Sequence, residues 1–156
     1  SGSLAGGISI STGGNHSCAA ISTGLVYCWG ANNKGQIGKL PGSPNSANVA
    51  QKVSLFGSIL PGVTAVSAGA NHSCALTDNR QIWCWGDNTY GQLGRGVSTI
   101  ADYNPVKVTG INTAIAIGSG EFHSCALLEN RSVRCWGRNN HKQLGVNGPA
   151  TSNIPL

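Results

Sequence analysis

One segment occurs three times along the 156-residue chain, and this repetition restricts the possible folds more than any other feature. The copies read GGNHSCAAISTGLVYCWGANNKGQIG, AGANHSCALTDNRQIWCWGDNTYGQLG and GSGEFHSCALLENRSVRCWGRNNHKQLG. Their histidines, His16, His72 and His123, lie 56 and 51 residues apart, which is a period typical of propeller blades and solenoids. Residues 1–156 are therefore predicted to be one repeat array. The predicted repeats are approximately 7–62, 63–113 and 114–156.

The residues within each copy favour short β-strands over helices. The run from Val63 to Val66 and its counterpart from Ile115 to Ile117 are apolar, β-branched and close to a glycine. Charged residues make up 10% of the chain and 23 residues are glycine, which does not suit the charged surface of a helical bundle. The predicted fold class is all-β, with three propeller-type blades of antiparallel strands. The first copy carries an insertion between Lys39 and Leu60, where KLPGSPNSANVAQ has the composition of a loop.

The six cysteines form pairs whose members are ten residues apart. The midpoints of these pairs, Thr23, Asn79 and Asn130, fall in turn-like tetrads. Gly24, Asn79 and Asn130 are the residues of these tetrads that can accept a positive φ. Residues equidistant from the centre of a hairpin face each other with Cα atoms about 4.5 to 5.5 Å apart, within reach of a disulfide. We therefore predict one disulfide inside each repeat, namely Cys18–Cys28, Cys74–Cys84 and Cys125–Cys135.

Persistent disulfides indicate an oxidising compartment, so the protein is expected to be secreted or displayed on a cell surface. The sequence contains no methionine and begins with Ser1, which favours a processed or excised chain. No apolar stretch approaches the roughly 20 residues of a membrane-spanning helix, so no membrane span is expected.

Each repeated histidine stands two residues before a cysteine, so the two side chains share one face of a strand. A His-Cys-Cys metal site is therefore conceivable in each repeat, although the tight ligand spacing and the fourth ligand of zinc sites are missing. The favoured interpretation of His16, His72 and His123 is a structural side chain that hydrogen-bonds backbone near a strand start. No metal site is expected.

The tryptophans Trp29, Trp85 and Trp136 each stand in a Cys-Trp-Gly triplet. Because side chains alternate along a strand, these rings lie on the face opposite to the cysteines and are expected to fill the space between neighbouring blades. Three segments also match the N-glycosylation pattern, and recurrence of the first two at equivalent positions favours a structural asparagine instead. The three candidate acceptors are Asn15, Asn71 and Asn130.

The titratable residues do not indicate an enzyme. The five carboxylates are scattered, and none recurs beside a second carboxylate or a free cysteine. The segments GQIG, GQLG and KQLG are predicted to be turns between strands and not phosphate-binding loops. No catalytic residue and no cofactor is expected.

The net charge of +5 comes mostly from isolated cations. A nucleic-acid surface usually shows a basic stripe with interleaved aromatic residues. Only one local group of cations is present, so nucleic acid is not an expected partner. That group comprises Arg131, Arg134, Arg138 and Lys142.

The order H-S-C-A-L, V/I-x-C-W-G, N-x-x-G-Q-L-G and N-P-V resembles the regulator of chromosome condensation repeat family over nearly the whole chain. The W-G-x-N-x-x-G-Q-L-G element is present from Trp29 to Gly38 and from Trp85 to Gly94, and Lys142 replaces a glycine in the third copy. The resemblance implies four-stranded β-propeller blades, commonly seven to a ring, with function in the loops. The paired cysteines resemble secreted bacterial versions, so nucleotide exchange and chromatin binding are the least expected roles.

Three repeats are fewer than the four to eight blades of a closed propeller. The segment from Asn153 to Leu156 is equivalent to the start of Asn104 to Lys107, so the last blade is predicted to be incomplete. Another copy or further chain would complete it. The arrangements that remain open are a six-bladed dimer, a head-to-tail polymer and a longer propeller.

These observations together favour a non-enzymatic extracellular repeat module that acts as a structural or protein-binding scaffold and assembles head to tail. The alternative is a secreted protein-binding propeller that acts as an inhibitor or a receptor face, as a secreted bacterial β-lactamase inhibitor of related fold does. The expected partners are further copies of the chain, further blades of a longer chain, or another protein.

Overall fold

The computed structural model describes residues 4–42, 45–55, 58–60, 62–98 and 101–156 and arranges them as three four-stranded antiparallel sheets. Within these residues, no helix is long and apolar enough to cross a membrane.

The first sheet contains β1 (Gly7–Thr12), β2 (His16–Ile21), β3 (Val26–Ala31) and β4 (Ser46–Lys52). A short hairpin follows, formed by β5 (Ser54–Leu55) and β6 (Ser58–Ile59). The second sheet contains β7 (Val63–Ala68), β8 (His72–Thr77), β9 (Ile82–Gly86) and β10 (Asp102–Lys107). The third contains β11 (Ala114–Ser119), β12 (His123–Leu128), β13 (Val133–Arg138) and β14 (Thr151–Ser152).

Each sheet is a meander in which consecutive strands pair, which is the arrangement of a propeller blade. The first strands of the blades lie side by side, because β1 contacts β7 and β7 contacts β11. The second strands are the most buried: every residue of β8 is buried, whereas most of β1 and β4 is exposed. The all-β fold class with three propeller-type blades is therefore confirmed.

The third blade differs from the prediction that it is incomplete. The strand β14 pairs with β13 through Gly137 and Ser152. Farther along, Cys135 and Leu156 exchange two backbone hydrogen bonds of 3.0 and 3.3 Å. The sequence correspondence places the start of this strand at Asn153 to Leu156, whereas its pairing with β13 already begins at Thr151 and Ser152 and is interrupted from Asn153 to Pro155. No strand from a neighbouring molecule is needed to finish this blade.

The stretch from Lys39 to Leu60, expected to be a loop, is only partly one. Residues 46–52 form β4, because this part of the chain pairs with β3 as the outer strand of the first blade. The inserted residues correspond to the β5–β6 hairpin, since residues 108–113, at the equivalent place after β10, contain no strand. Residues 43–44 and 56–57 lie outside the described part of this stretch.

Three hairpin tips contain one residue each in the left-handed region. These are Gly24 at φ 78°, Arg80 at φ 61° and Arg131 at φ 68°. Of the residues able to accept a positive φ, Gly24 adopts one, whereas Asn79 and Asn130 precede the positive-φ residues by one position. The asparagine acts through its side chain instead: Asn130 Oδ1 accepts hydrogen bonds from the amide of Ser132 at 3.0 Å and from its hydroxyl at 2.6 Å.

The disulfides join opposed residues in the middle of each blade, as predicted. The bonded pairs are Cys18–Cys28, Cys74–Cys84 and Cys125–Cys135, with Cα atoms 4.0 to 4.1 Å apart. The first two bridges belong to apolar clusters that form between blades. In the first cluster the Cys18–Cys28 bridge packs with Ile37 and with Trp85 of the next blade. The hydrophobic core is therefore divided between the blade interfaces.

We expect each disulfide to stabilise the folded chain mainly by restricting its unfolded state. A loop closed over ten residues is worth about 2 to 3 kcal/mol in the chain-entropy estimate. Replacing both Cys74 and Cys84 with serine should therefore lower the free energy of unfolding in urea by about that amount. A non-reduced digest of the unaltered chain should contain only linkages within blades, and a linkage such as Cys18 to Cys74 would contradict the assignment.

Candidate functional site: the contact between blades

Two of the three tryptophans in the Cys-Trp-Gly triplets, Trp85 and Trp136, contact the preceding blade. The indole nitrogen of Trp85 donates a 2.9 Å hydrogen bond to the main-chain carbonyl of Gln36. Trp136 makes the same bond, also 2.9 Å long, to the carbonyl of Gln92. Both rings are fully buried. The structure thus places these two tryptophans between blades.

The repeated histidines also bridge the blades. His16 Nε2 lies 2.8 Å from the hydroxyl of Ser73, and His72 Nε2 lies 2.9 Å from the hydroxyl of Ser124. The Ser73 hydroxyl donates its proton to the Gln36 carbonyl at 2.9 Å, so the His16 bond requires the proton on Nε2. The interpretation that the repeated histidines hydrogen-bond backbone near a strand start is corrected for His16 and His72, because the Nε2 partner of each is a serine of the next blade.

The Gln36 carbonyl is held in place by a turn whose side chains bond their own backbone. The Asn32 side-chain oxygen accepts from the amide of Ile37 at 3.4 Å, and Gln36 Oε1 accepts from the amide of Lys34 at 2.8 Å. The second and third copies repeat these bonds. This role was not predicted from the sequence, although the same asparagine and glutamine occur at fixed spacing in the motif that carries the family resemblance. The asparagines of these turns are Asn32, Asn88 and Asn139, and the glutamines are Gln36, Gln92 and Gln143.

The candidate glycosylation sites differ in accessibility. Asn15 and Asn130 are exposed, whereas Asn71 is half-buried and its side-chain oxygen accepts a 3.3 Å bond from Gln36 Nε2. This contact gives Asn71 a structural role, and glycosylation of the three asparagines stays a prediction. Among the described residues, no group of three His, Cys, Asp or Glu side chains could hold a metal ion.

Burial sets the charge state of the histidines. Desolvation lowers the pKa of His16 to about 4 and that of His72 to about 3. The pKa of the less buried His123 is lowered by the same cause. The interface therefore contains neutral imidazoles at neutral pH.

The two ends of the array carry separate halves of this contact. At the first blade, Trp29 is half-exposed and lines a cavity of about 450 Å³ with Leu4, Ile8 and Ile10. The exposed fractions of Ile8 and Ile10 are 53% and 70%. Within the described residues, the indole nitrogen of Trp29 has no hydrogen-bond partner. The ring occupies the position of Trp85 and Trp136, but no preceding blade is present to receive it.

At the last blade, the complementary groups are open. His123 occupies the position of His16 and His72, and the Gln143 carbonyl that of the Gln36 and Gln92 carbonyls. In the described part of the chain, neither His123 Nε2 nor this carbonyl has a hydrogen-bond partner. The first blade therefore has an indole donor without a carbonyl acceptor, and the last blade has the matching carbonyl without a donor.

One position at the last blade departs from the internal interfaces. Gly35 and Gly91 lie so close to the next blade that an added Cβ would be 2.7 Å from Tyr103 Cβ and 2.6 Å from Asn153 Cα, respectively. Lys142 replaces this glycine in the third copy and keeps the positive φ, at 62°. Lys142 therefore carries a Cβ where the internal interfaces have none, and its side chain is exposed.

We expect acid to destabilise the fold through these histidines. Their folded pKa values lie below the ordinary 6.5, so the unfolded state binds more protons and stability falls as pH drops from about 6.5 towards 4 and 3. The free energy of unfolding should decrease by about 2 kcal/mol per buried histidine between pH 7 and pH 5.

The measurement is urea unfolding at several pH values. His72→Gln should shrink the loss by about 2 kcal/mol, whereas the exposed His141→Gln should leave it unchanged. An identical pH dependence in the His72 variant would disprove the assignment.

Comparison with known proteins assigns the repeats to a family. A profile of the Regulator of chromosome condensation (RCC1) repeat matches residues 8–36, 63–92 and 114–143, and a second profile matches 23–76 and 81–127. The chain is 33% identical over 150 residues to the RCC1 domain-containing protein RUG3, mitochondrial, of Arabidopsis thaliana, covering 94% of this chain and 34% of that protein. It is 31% identical over 141 residues to human E3 ubiquitin-protein ligase HERC2, covering 86% of this chain and 3% of the ligase. The chain therefore spans about a third of RUG3 and a small part of HERC2.

Solved structures show the same fold. Human WBSCR16 superposes with a TM-score of 0.84 at 24% identity, covering 96% of this chain and 40% of that protein. Yeast RCC1 (Prp20), in its structure bound to Kap60, gives a TM-score of 0.83 at 19% identity over 94% of this chain and 36% of its own. Matching profiles over more than half of the chain, together with this fold, show that the chain belongs to the regulator of chromosome condensation repeat family.

Proposed function

We propose that this chain is a non-catalytic, extracellular protein-binding scaffold whose blades pair head to tail with further blades. The observation that carries the proposal is the complementarity of the two open ends. Trp29 at one end lacks the carbonyl that Gln143 offers at the other. Ser17, in the position of Ser73 and Ser124, lacks the histidine that His123 offers.

Docking two copies in blade register would reproduce the internal contact. The Trp29 indole of one copy would donate to the Gln143 carbonyl of the next, and His123 of that copy would donate to Ser17. The dock would also cover Ile8 and Ile10, which are exposed at the first blade. Burial of apolar surface together with two specific hydrogen bonds favours association.

The two surfaces are different, so the contact is heterologous and leads to a closed ring or an open polymer. We favour the polymer, in which blades stack face to face. Because β14 completes the third blade within its own chain, the copies need not exchange a strand. Further blades of a longer chain would satisfy the same surfaces in the same way.

The extracellular assignment rests on the three disulfides, which persist in oxidising compartments. Protein binding is supported by the relatives. Yeast RCC1 (Prp20) has been crystallised with Kap60, and the properties of Prp20p in binding Gsp1p and histones have been described. Those proteins share the fold with this chain at 19% identity, so their partners are not transferred to it.

Sedimentation velocity of the oxidised chain should reveal association that increases with concentration. Trp29→Phe removes the indole donor and keeps an aromatic ring, so it should weaken association about five- to tenfold, the value of one buried hydrogen bond. Val97→Ser, an exposed residue in the second blade, is the matched control and should have no effect. A stable 15.9 kDa monomer at all concentrations would reject assembly between copies.

Lys142→Gly provides a test in the opposite direction. The glycine restores the space that the internal interfaces use at Gly35 and Gly91, and it remains compatible with the positive φ. Association should therefore strengthen severalfold in the same sedimentation experiment. A weaker association of this variant would mean that copies do not dock in blade register.

A further inference from the structure

The third copy of the repeat differs from the other two at positions that meet on one surface. We call this surface the loop face; it consists of the turns before β2, β8 and β12 and the turns that follow β3, β9 and β13. Phe122 stands where the earlier copies have asparagine, and Arg138 stands where they have alanine and aspartate. The Arg138 amide donates a 2.9 Å hydrogen bond to the carbonyl of Phe122, so these two altered positions are neighbours in the fold.

Arg138 is held between aromatic rings. Its guanidinium carbon lies 5.1 Å from the ring centre of Tyr90 and 5.4 Å from that of Phe122. The two rings are 5.3 Å apart at an interplanar angle of 63°. Arg138 Nε donates a 2.7 Å bond to Asn140 Oδ1, which fixes the plane of the guanidinium. The side chain is therefore ordered before any partner binds.

The terminal nitrogens of this guanidinium have no carboxylate partner among the described residues. The two ion pairs found there are Arg80 with Glu129 and Arg95 with Asp102. Asp87, near the cluster, is buried, and its oxygens accept bonds from Thr89 and Gln92.

Glu121, next to Phe122, is exposed and forms no ion pair within the described residues. A half-buried, preordered arginine thus presents two donors to solvent. Two such parallel donors match the geometry of a carboxylate.

We propose that Tyr90, Phe122 and Arg138 form a binding site for an acidic peptide segment of a partner protein. A carboxylate of the segment takes both terminal nitrogens of Arg138, and a neighbouring apolar side chain packs on Phe122. Arginine and tyrosine are the residues that most often dominate protein interfaces. This inference rests on the proposed protein-binding role and specifies the chemistry of one partner.

The charge distribution favours a peptide over nucleic acid. A nucleic-acid site neutralises many phosphates with a stripe of cations, typically six to ten contacts. Here Lys142 is the cation on the same turn as Arg138, and Glu121 places a negative charge beside the cluster. One carboxylate with an apolar neighbour fits this arrangement, whereas a phosphate backbone does not.

The test is fluorescence anisotropy of the full oxidised chain with a short labelled peptide of alternating glutamate and leucine. Arg138→Gln should weaken binding about tenfold, because a bidentate charge-assisted contact is lost. Arg131→Gln makes the same charge change at the opposite end of β12 and β13 and should leave binding unchanged. Glu121→Gln should tighten binding about twofold by removing a like charge.

Arg138→Lys is the second variant, because it keeps the charge and loses the planar fork; it should bind nearly as weakly as Arg138→Gln. Several results would overturn the site: no binding, equal weakening by Arg131→Gln, or equal binding of a peptide with glutamine in place of glutamate. Tighter binding of a single-stranded DNA oligonucleotide through Arg138 would assign the cluster to nucleic acid instead. Sedimentation of the same samples separates this outcome from a failure of blade docking, since the cluster variants leave Trp29 and Ser17 intact.

Discussion

A main-chain carbonyl in the turn after the third strand links each of the first two blades to the next. In the first blade this is the carbonyl of Gln36, which accepts from the Trp85 indole at 2.9 Å and from the Ser73 hydroxyl at 2.9 Å. His16 extends the same network by bonding Ser73. A buried carbonyl with two donors is well satisfied, and it is left unpaired in an apolar surrounding only when both donors are removed. Together with the backbone bonds between blades, this acceptor fixes the blade spacing.

Much of the repeated motif serves to present that carbonyl. Asn32 and the side chain of Gln36 tie the turn to its own backbone. Gly35 permits the positive φ and the close approach of the next blade. The apolar residues then fill the space on either side, so the core lies between blades. Stability therefore accumulates with each interface, as in other repeat proteins.

The repetition in the sequence made the fold largely predictable. Cysteines at identical spacing in three hairpins specify both the register and the pairing, because opposed residues must be equidistant from the turn. The partner of His16 could not be predicted, since Ser73 lies 57 residues away and nothing in local spacing links them. The last blade was predicted to be incomplete because only two residues of its fourth strand, Thr151 and Ser152, form a regular strand. The Arg138 cluster was missed because comparing the copies emphasises what they share, and this cluster is built from their differences.

The short span of each disulfide has a consequence for how the chain can be made. Both cysteines of a pair belong to neighbouring strands of one hairpin, ten residues apart in sequence. A hairpin of this length can fold as a unit, and its thiols can be oxidised before the following blade has folded. Each cysteine then pairs with its neighbour in the same hairpin before cysteines of other blades can compete. Blades can therefore be added to such an array, during synthesis or in evolution, without changing which cysteines pair in the other blades.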